Sequence, residues 1–299
     1  MKLFIIGNGF DLNHGYNTSY KNFKNYIYSN SYEIGSFSLK DYFPDDDDLW
    51  SDFENNLEFI DFKESTDFFL GDLTPEMSDK EWERECSRRS ALQDSFEEAP
   101  EKLYPALCTA LSDFICKETS SKVSAQSKFS SIMTKNDIYI TFNYSKTLEN
   151  LYNIPETNIN HIHGIAYPSF PPDYDDIDIT YEDPSIIFGH GDLHKIKHTA
   201  EESNPMNPNG CLNDLNTTMK KVYQIKSFID FIKNYAFDSI EIIGHDFGKV
   251  DLPYFKALNK ILNTSEVINY WLFDMSKHNE KKKDLQRVFS KNRINIHSF

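Results

Sequence analysis

Cysteine is scarce in this chain. Four occur in 299 residues, Cys86, Cys108, Cys116 and Cys211, and no two have C-x-x-C spacing. A disulfide frame and a zinc ribbon are therefore excluded as the organising principle, and free thiols in a reducing cytoplasm are expected. Long apolar runs are also missing, and the longest fall far short of the roughly 20 residues a membrane span needs. No signal-peptide pattern precedes Leu3-Phe4-Ile5-Ile6, so a cytoplasmic protein without membrane attachment is expected. Positive charge is short as well. The chain has 31 Lys and Arg against 47 Asp and Glu, a formal net charge of −16. Such a surface repels phosphate backbones at long range, which disfavours non-specific nucleic-acid binding. No internal repeat is present.

Aromatics are plentiful, with 24 Phe and 17 Tyr, and hydrophobic residues make up 39% of the chain. That is enough for a core, and the length suits one large α/β domain with an insertion. Short apolar segments read as strands at Lys2–Gly7, Asp137–Phe142, Ile159–His163, Ser185–Phe188, Ser239–Gly244, Val267–Phe273 and Arg293–His297. Thr217–Ala236 reads as a helix, with Met219, Val222, Tyr223, Ile229 and Ile232 on one stripe. Leu252–Leu262, Ser276–Ser290 and Ser145–Tyr152 read as further helices. The expected fold is α/β: a Rossmann-like, mostly parallel sheet with helices on both faces. Residues 1–48 and 136–299 are expected to form this core. Residues 49–135 lack convincing strands and read as a mostly helical insertion, with a helix from Pro100 through an apolar run to Cys116. Asp45–Asp48 and Asp173–Asp178 read as solvated acidic loops without calcium-loop spacing.

Four patches follow or end predicted strands. They are Gly7-Asn8-Gly9-Phe10-Asp11; Thr141-Phe142-Asn143-Tyr144-Ser145; His161-Ile162-His163-Gly164 with the later Phe188-Gly189-His190-Gly191-Asp192; and Gly244-His245-Asp246-Phe247-Gly248 leading to Asp251. Ligands of open parallel sheets bind beyond the carboxyl ends of the strands, so these patches are expected to converge on one crevice.

The first patch, followed by Gly15 and a helix start at Asn17-Thr18-Ser19-Tyr20, suggests an anion cradle. Glycines let backbone approach a phosphate, and a helix N-terminus offers N–H groups and partial positive charge. The G-x-G-x-x-G dinucleotide fingerprint is not met, because Leu12 stands at the third glycine. Asn143 suits a ribose hydroxyl, a water or a helix cap. His163, next to glycine at a strand end, is the acid–base candidate, with His161 as supporting contact.

Three other readings stay open on residues alone. His161, His163, His190, Asp192 and His194 alternate like metal ligands, which would suit a metal-dependent hydrolase or nuclease. Gly244-x-Asp246-x-Gly248 matches a nucleophile elbow with Asp246 as nucleophile and His278 or His297 as base. The third is a non-catalytic nucleotide sensor.

In this order the patches resemble the bacteriophage abortive-infection family AbiH. Gly7-Asn8-Gly9-Phe10-Asp11-Leu12, Gly15, Thr18-Ser19-Tyr20, Thr141-Phe142-Asn143-Tyr144, Leu148-Glu149, Leu151-Tyr152, His161-Ile162-His163-Gly164, Phe188-Gly189-His190-Gly191, Gly244-His245, Asp251 and Pro253-Tyr254-Phe255 carry the resemblance. The family in turn is similar to sirtuin-like NAD-consuming domains, with Asn143 and His163-Gly164 at the catalytic asparagine and histidine-glycine positions. Ser145 stands where an acid usually follows the asparagine, and Asp11 stands where the glycine loop usually ends in serine.

The resemblance implies a phage-defence effector that takes NAD as substrate or ligand and cleaves its N-glycosidic bond. It implies Asn143 and His163 as catalytic residues, and a nucleotide held by Gly7, Asn8, Gly9, Phe10, Asp11, Thr18, Gly189, Gly244, His245 and Asp246. It further implies a phage-derived trigger and no metal. A homo-oligomer stays open.

Overall fold

The computed structural model describes residues 1–34, 37–43, 45–57, 78–169, 185–189, 191, 219 and 221–298, side chains at 37, 88–89 and 91–100 excepted. Its strands are β1 (Lys2–Ile6), β2 (Glu33–Ile34), β3 (Phe37–Ser38), β4 (Ile138–Thr141), β5 (Ile159–His161), β6 (Ser239–Ile243), β7 (Val267–Leu272) and β8 (Arg293–Ser298). β2 and β3 form a separate antiparallel pair. The other six form one sheet in the order β5-β4-β1-β6-β7-β8, and every neighbouring pair is parallel. The chain steps from β1 outward to β5 and then returns to the other side of β1. This reversal is the Rossmann topology, and its switch point lies between β1 and β6.

Both faces of the sheet are covered, which explains why the central strands read as unbroken apolar runs. Alternate residues of β1 point to opposite faces. Leu3 and Ile5 pack with Phe228 and Ile232 of helix Ile225–Ile232, Tyr254, Phe255 and Leu258 of helix Leu252–Ile261, and Leu285 of helix His278–Val288. Phe4 and Ile6 pack with Phe10, Phe129 and Leu148 on the other side. Burying each such side chain fully contributes roughly 1.5–3 kcal/mol.

A third cluster is helical. It joins Phe23 and Ile27 of helix Tyr20–Ser29 to Trp50, Phe53 and the stripe Leu103, Ala106, Leu107, Ala110, Leu111 and Phe114. That stripe has the spacing of one helix face. The cluster draws on residues from both sides of position 48, while Phe129 and Met133 pack on the sheet instead. The long helix runs Asp79–Thr119 and begins well before Pro100. Its start is set by a capping box between Ser78 and Glu81, with the Ser78 N–H donating to Glu81 Oε2 at 2.9 Å; the Ser78 hydroxyl also lies 2.6 Å from that oxygen and donates to it.

Three expectations need correction. Ser185–Phe188 is not a strand of the sheet; it makes a single antiparallel bridge, Ile186 to Gly164. Ile186 and Phe188 are apolar because they fill the helical cluster. The helix expected from Thr217 begins at Ile225. Lys221–Gln224 is not helical, Met219 packs in the helical cluster and Val222 is exposed, so the upstream part of the stripe is accidental. Neither Asn143 nor Ser145 caps the following helix, which runs Thr147–Tyr152 with Lys146 at the cap position. The acidic loop at 45–48 is tied down, since Lys24 pairs with Asp45 and Asp47. Asp173–Asp178 and Cys211 lie outside the described residues. No described helix is long and apolar enough to cross a membrane.

Candidate active site

A cavity of about 490 Å³ opens at the carboxyl ends of the strands. This lies within the usual size of ligand pockets. One wall comes from the strand-end loops: Gly7, Asn8, Gly9 and Asp11 after β1, Phe142, Asn143 and Tyr144 after β4, His163 after β5, Gly244, His245 and Asp246 after β6, and Asp251 at the start of the next helix. The opposite wall includes Tyr20, Glu54, Asn55, Leu111 and Ile115 from the helical cluster, and Lys277 and Lys281 stand beyond β7. Eight of the ten residues expected to bind a nucleotide line this cavity, together with both expected catalytic residues.

Two do not. Phe10 is fully buried against Phe129 on the far face of the sheet, with ring centroids 4.7 Å apart. Gly189 serves packing: at φ +134°, a Cβ there would lie 2.1 Å from the Met219 carbonyl oxygen.

The glycine turn is built differently from an anion cradle. Gly7 N–H donates to the Ile243 carbonyl at 3.0 Å, Gly9 N–H to the Gly244 carbonyl at 2.9 Å, and Phe10 N–H to the Gly7 carbonyl at 2.9 Å. These donors are consumed inside the protein. The glycines are there because two loops meet: a Cβ on Gly9 would lie 2.8 Å from Gly244 Cα, and one on Gly244, at φ +66°, would lie 2.3 Å from Phe10 N. Asn8 and Thr18 pin each other, the Thr18 hydroxyl donating to Asn8 Oδ1 at 2.7 Å and the Asn8 amide to the Thr18 carbonyl at 2.9 Å. The helix N-terminus at the cavity is that of Tyr20–Ser29, with Ser19 as cap.

The polar floor is a buried charge cluster. Asp251 reaches His163 Nε2 through Oδ1 at 3.4 Å and His245 Nε2 through Oδ2 at 3.3 Å. Lys221 Nζ lies 3.3 Å from Asp251 Oδ1 and 3.2 Å from Glu54 Oε2. Tyr144 donates to Glu54 Oε1 at 3.3 Å. Burial alone would raise the Asp251 carboxyl, but the Lys221 ammonium and both imidazoles outweigh it and hold the group well below its ordinary range. Burial would lower the Lys221 ammonium, yet Asp251 and Glu54 raise it above its ordinary value. The Phe142 ring stands edge-on to both imidazoles, 5.2 Å from His163 and 4.4 Å from His245.

Asp11 is the second buried carboxylate. Burial pushes it up to about 6, against hydrogen bonding from Ser145, Thr147 and Asn143. Asn143 Oδ1 is buried without a protein partner. Buried orphan acceptors of this kind call for a water or a ligand group.

The rival constellations fare differently. His161 and His163 do not share a site. His161 Nε2 contacts Glu149 Oε1 at 2.8 Å beside a separate surface depression, so neither His161 nor Glu149 faces the cavity. His190, Asp192 and His194 lie outside the described residues. The Asp246 elbow does not form. Helix Leu252–Ile261 starts too late, the left-handed residue is Phe247, and the exposed Asp246 carboxylate is held by Lys281 at 2.5 Å. His278 is half-buried and does not line the cavity, and His297 bonds Asn269 on the sheet edge.

Glu54 and Lys221 have no role in the sequence reading, and Asp251 enters it only as the end of the fourth patch and as a residue matching the family pattern. Asp251 occupies a helix cap position but makes no capping bond, because its carboxylate is turned to the histidines. An acid at a cap position two residues before proline looks structural, which hides it.

No curated protein and no solved structure matches the chain. A family model described as bacteriophage abortive infection AbiH matches residues 3–273, and that span holds the cavity-lining loops after β1, β4, β5 and β6 and ends before Lys277 and Lys281. The chain therefore belongs to the AbiH family of bacteriophage abortive infection.

Proposed function

We propose that this protein is a phage-defence effector that binds NAD or a closely related nucleotide in the switch-point cavity and hydrolyses its N-glycosidic bond. One observation carries the reading: the turn after β1, Asn143 after β4 and His163 after β5 line a single cavity beside the reversal of strand order. Dinucleotides sit at that position in Rossmann folds.

In this reading the ribose lies against Asn143 and His163. Water attacks C1′ as the bond to the nicotinamide nitrogen breaks. The bonding electron pair leaves with nicotinamide, which departs neutral. His163 takes a proton from the attacking water and later releases it to solvent. Asn143 orients the water or a ribose hydroxyl. The N-terminus of helix Tyr20–Ser29 and Lys277 on the far wall are the groups suited to the phosphates. Holding water and sugar together and moving one proton supplies much of the acceleration. Loss of NAD would arrest an infected cell, as abortive infection requires.

The test is incubation of the purified protein with NAD, reading free nicotinamide and ADP-ribose by chromatography. Asn143→Ala and His163→Ala are each expected to lower turnover by about 10²-fold or more. Turnover that survives both changes rejects the assigned site.

A further inference from the structure

Two imidazoles share one carboxylate, and only one of them has its tautomer fixed from outside. The Phe247 N–H donates to His245 Nδ1 at 3.0 Å. Neutral His245 therefore carries its proton on Nε2, facing Asp251 Oδ2 at 3.3 Å. His163 Nε2 faces Asp251 Oδ1 at 3.4 Å and has no closed hydrogen bond. A bare lone pair aimed at a buried carboxylate would be repelled, so this nitrogen carries the proton too. The distance is long for a hydrogen bond, as catalytic contacts often are before a ligand binds.

We propose that Asp251, anchored by Lys221 and Glu54, fixes His163 in the tautomer protonated on Nε2, so that Nδ1 is the nitrogen that accepts the proton from the attacking water. Asp251 is then a positioning residue, and Lys221 and Glu54 position it in turn. The identity of the proton donor rests on the glycosidic reading above; the tautomer does not. When Nδ1 takes the proton, the imidazolium that forms faces an anion already in place. The Lys221 ammonium, with two carboxylates within 3.3 Å, keeps that anion oriented between the two rings.

His245 makes the proposal sharp. In Asp251→Asn the new side chain has one acceptor oxygen and one donor NH₂. His245 and Lys221 can both only donate to this group; Lys221 Nζ keeps the two Glu54 oxygens, at 3.3 and 3.2 Å, whereas the other nitrogen of His245 is taken by Phe247, so the oxygen turns to His245. The NH₂ then faces His163 and forces the lone pair onto Nε2 and the proton onto Nδ1. An isosteric change would thus leave the fold in place and remove the base. Wrong-tautomer substitutions of this type cost on the order of 10⁴-fold in turnover.

The experiment is imidazole ¹⁵N NMR on protein labelled at histidine, with the His163 signals assigned by their loss in His163→Gln. In the parent protein His163 is expected to be protonated on Nε2. In Asp251→Asn the proton is expected on Nδ1, with NAD binding retained and NAD turnover lost. In Glu54→Gln, which keeps the Lys221–Asp251 contact, it is expected to stay on Nε2. A parent protein with His163 protonated on Nδ1 overturns the proposal even if Asp251→Asn does not fold. So does an unchanged tautomer in a folded Asp251→Asn. Absence of NAD cleavage in the parent rejects the glycosidic reading and leaves the tautomer result standing.

Discussion

Asp11 and Ser145 are joined by a 2.5 Å hydrogen bond, the hydroxyl donating to Oδ2 across 134 residues of chain. The bond ties the loop after β1 to the loop after β4, and it does so with an acid that burial lifts from 3.8 to about 6. Four expected outcomes follow from this and related contacts.

The raised Asp11 value makes stability depend on pH with a definite sign. Between about pH 4 and 6 the folded chain holds a proton here that the unfolded chain has lost. This group's contribution is full below the unfolded value and is lost as pH rises through the folded one, reaching about 3 kcal/mol of lost stability by pH 7. Asp11→Asn carries no such dependence. Relative to the parent, it is expected to gain roughly 2–2.5 kcal/mol on going from pH 4 to pH 7, read from urea unfolding at each pH. Parallel curves for the two proteins would contradict the assignment.

Lys221→Met leaves two buried carboxylates without their cation. A loss of about 3–5 kcal/mol in unfolding free energy is expected. Adding Glu54→Gln should recover part of it, because one of the stranded charges is gone. A double mutant no more stable than Lys221→Met would show that the two groups are not coupled.

Gly244 and Gly15 separate strain from collision. Both have positive φ, +66° and +90°, but a Cβ at Gly15 meets nothing within 4 Å while one at Gly244 meets Phe10 N at 2.3 Å. Gly15→Ala is expected to cost about 1–2 kcal/mol, the left-handed penalty alone. Gly244→Ala should cost clearly more, measured by chemical denaturation. Equal costs would mean that the two loops yield freely.

The long helix is docked along part of its length. Leu107 is fully buried and Trp82 is 46% exposed. Leu107→Ala is expected to cost about 2–5 kcal/mol. Trp82→Ala should stay within about 0.5 kcal/mol in the same denaturation assay.

The sheet was legible in the sequence because strands buried on both faces need near-continuous apolar runs, and Leu3-Phe4-Ile5-Ile6 and Ile138-Tyr139-Ile140 supply them, while Ile240-Glu241-Ile242-Ile243 is broken only by Glu241. That the loops after β1, β4, β5 and β6 would meet was legible from topology alone, although the stretch at Phe188-Gly189 packs away from the cavity. The charge cluster was not. Lys221 sits in a segment whose hydrophobic spacing mimics a helix, and its burial makes sense only once Glu54 and Asp251 stand beside it. Pattern reasoning sees spacing along one segment, whereas a buried ion cluster depends on segments remote from one another. Glycine is ambiguous in the same way. The sequence shows that backbone must come close at Gly7 and Gly9, and the fold reveals that the visitor is another loop, the one at Gly244.

That splice between the turns has a mechanical meaning. With their amides and carbonyls interlocked, the ends of β1 and β6 move as one block, and a bound molecule meets a bed whose shape was set during folding. Any change in the cavity's shape then falls to the opposite bank, lined by Ser51, Asp52, Glu54, Asn55, Lys277 and Lys281. Substitutions should be tolerated on that bank, and the spliced turns should tolerate little rewriting.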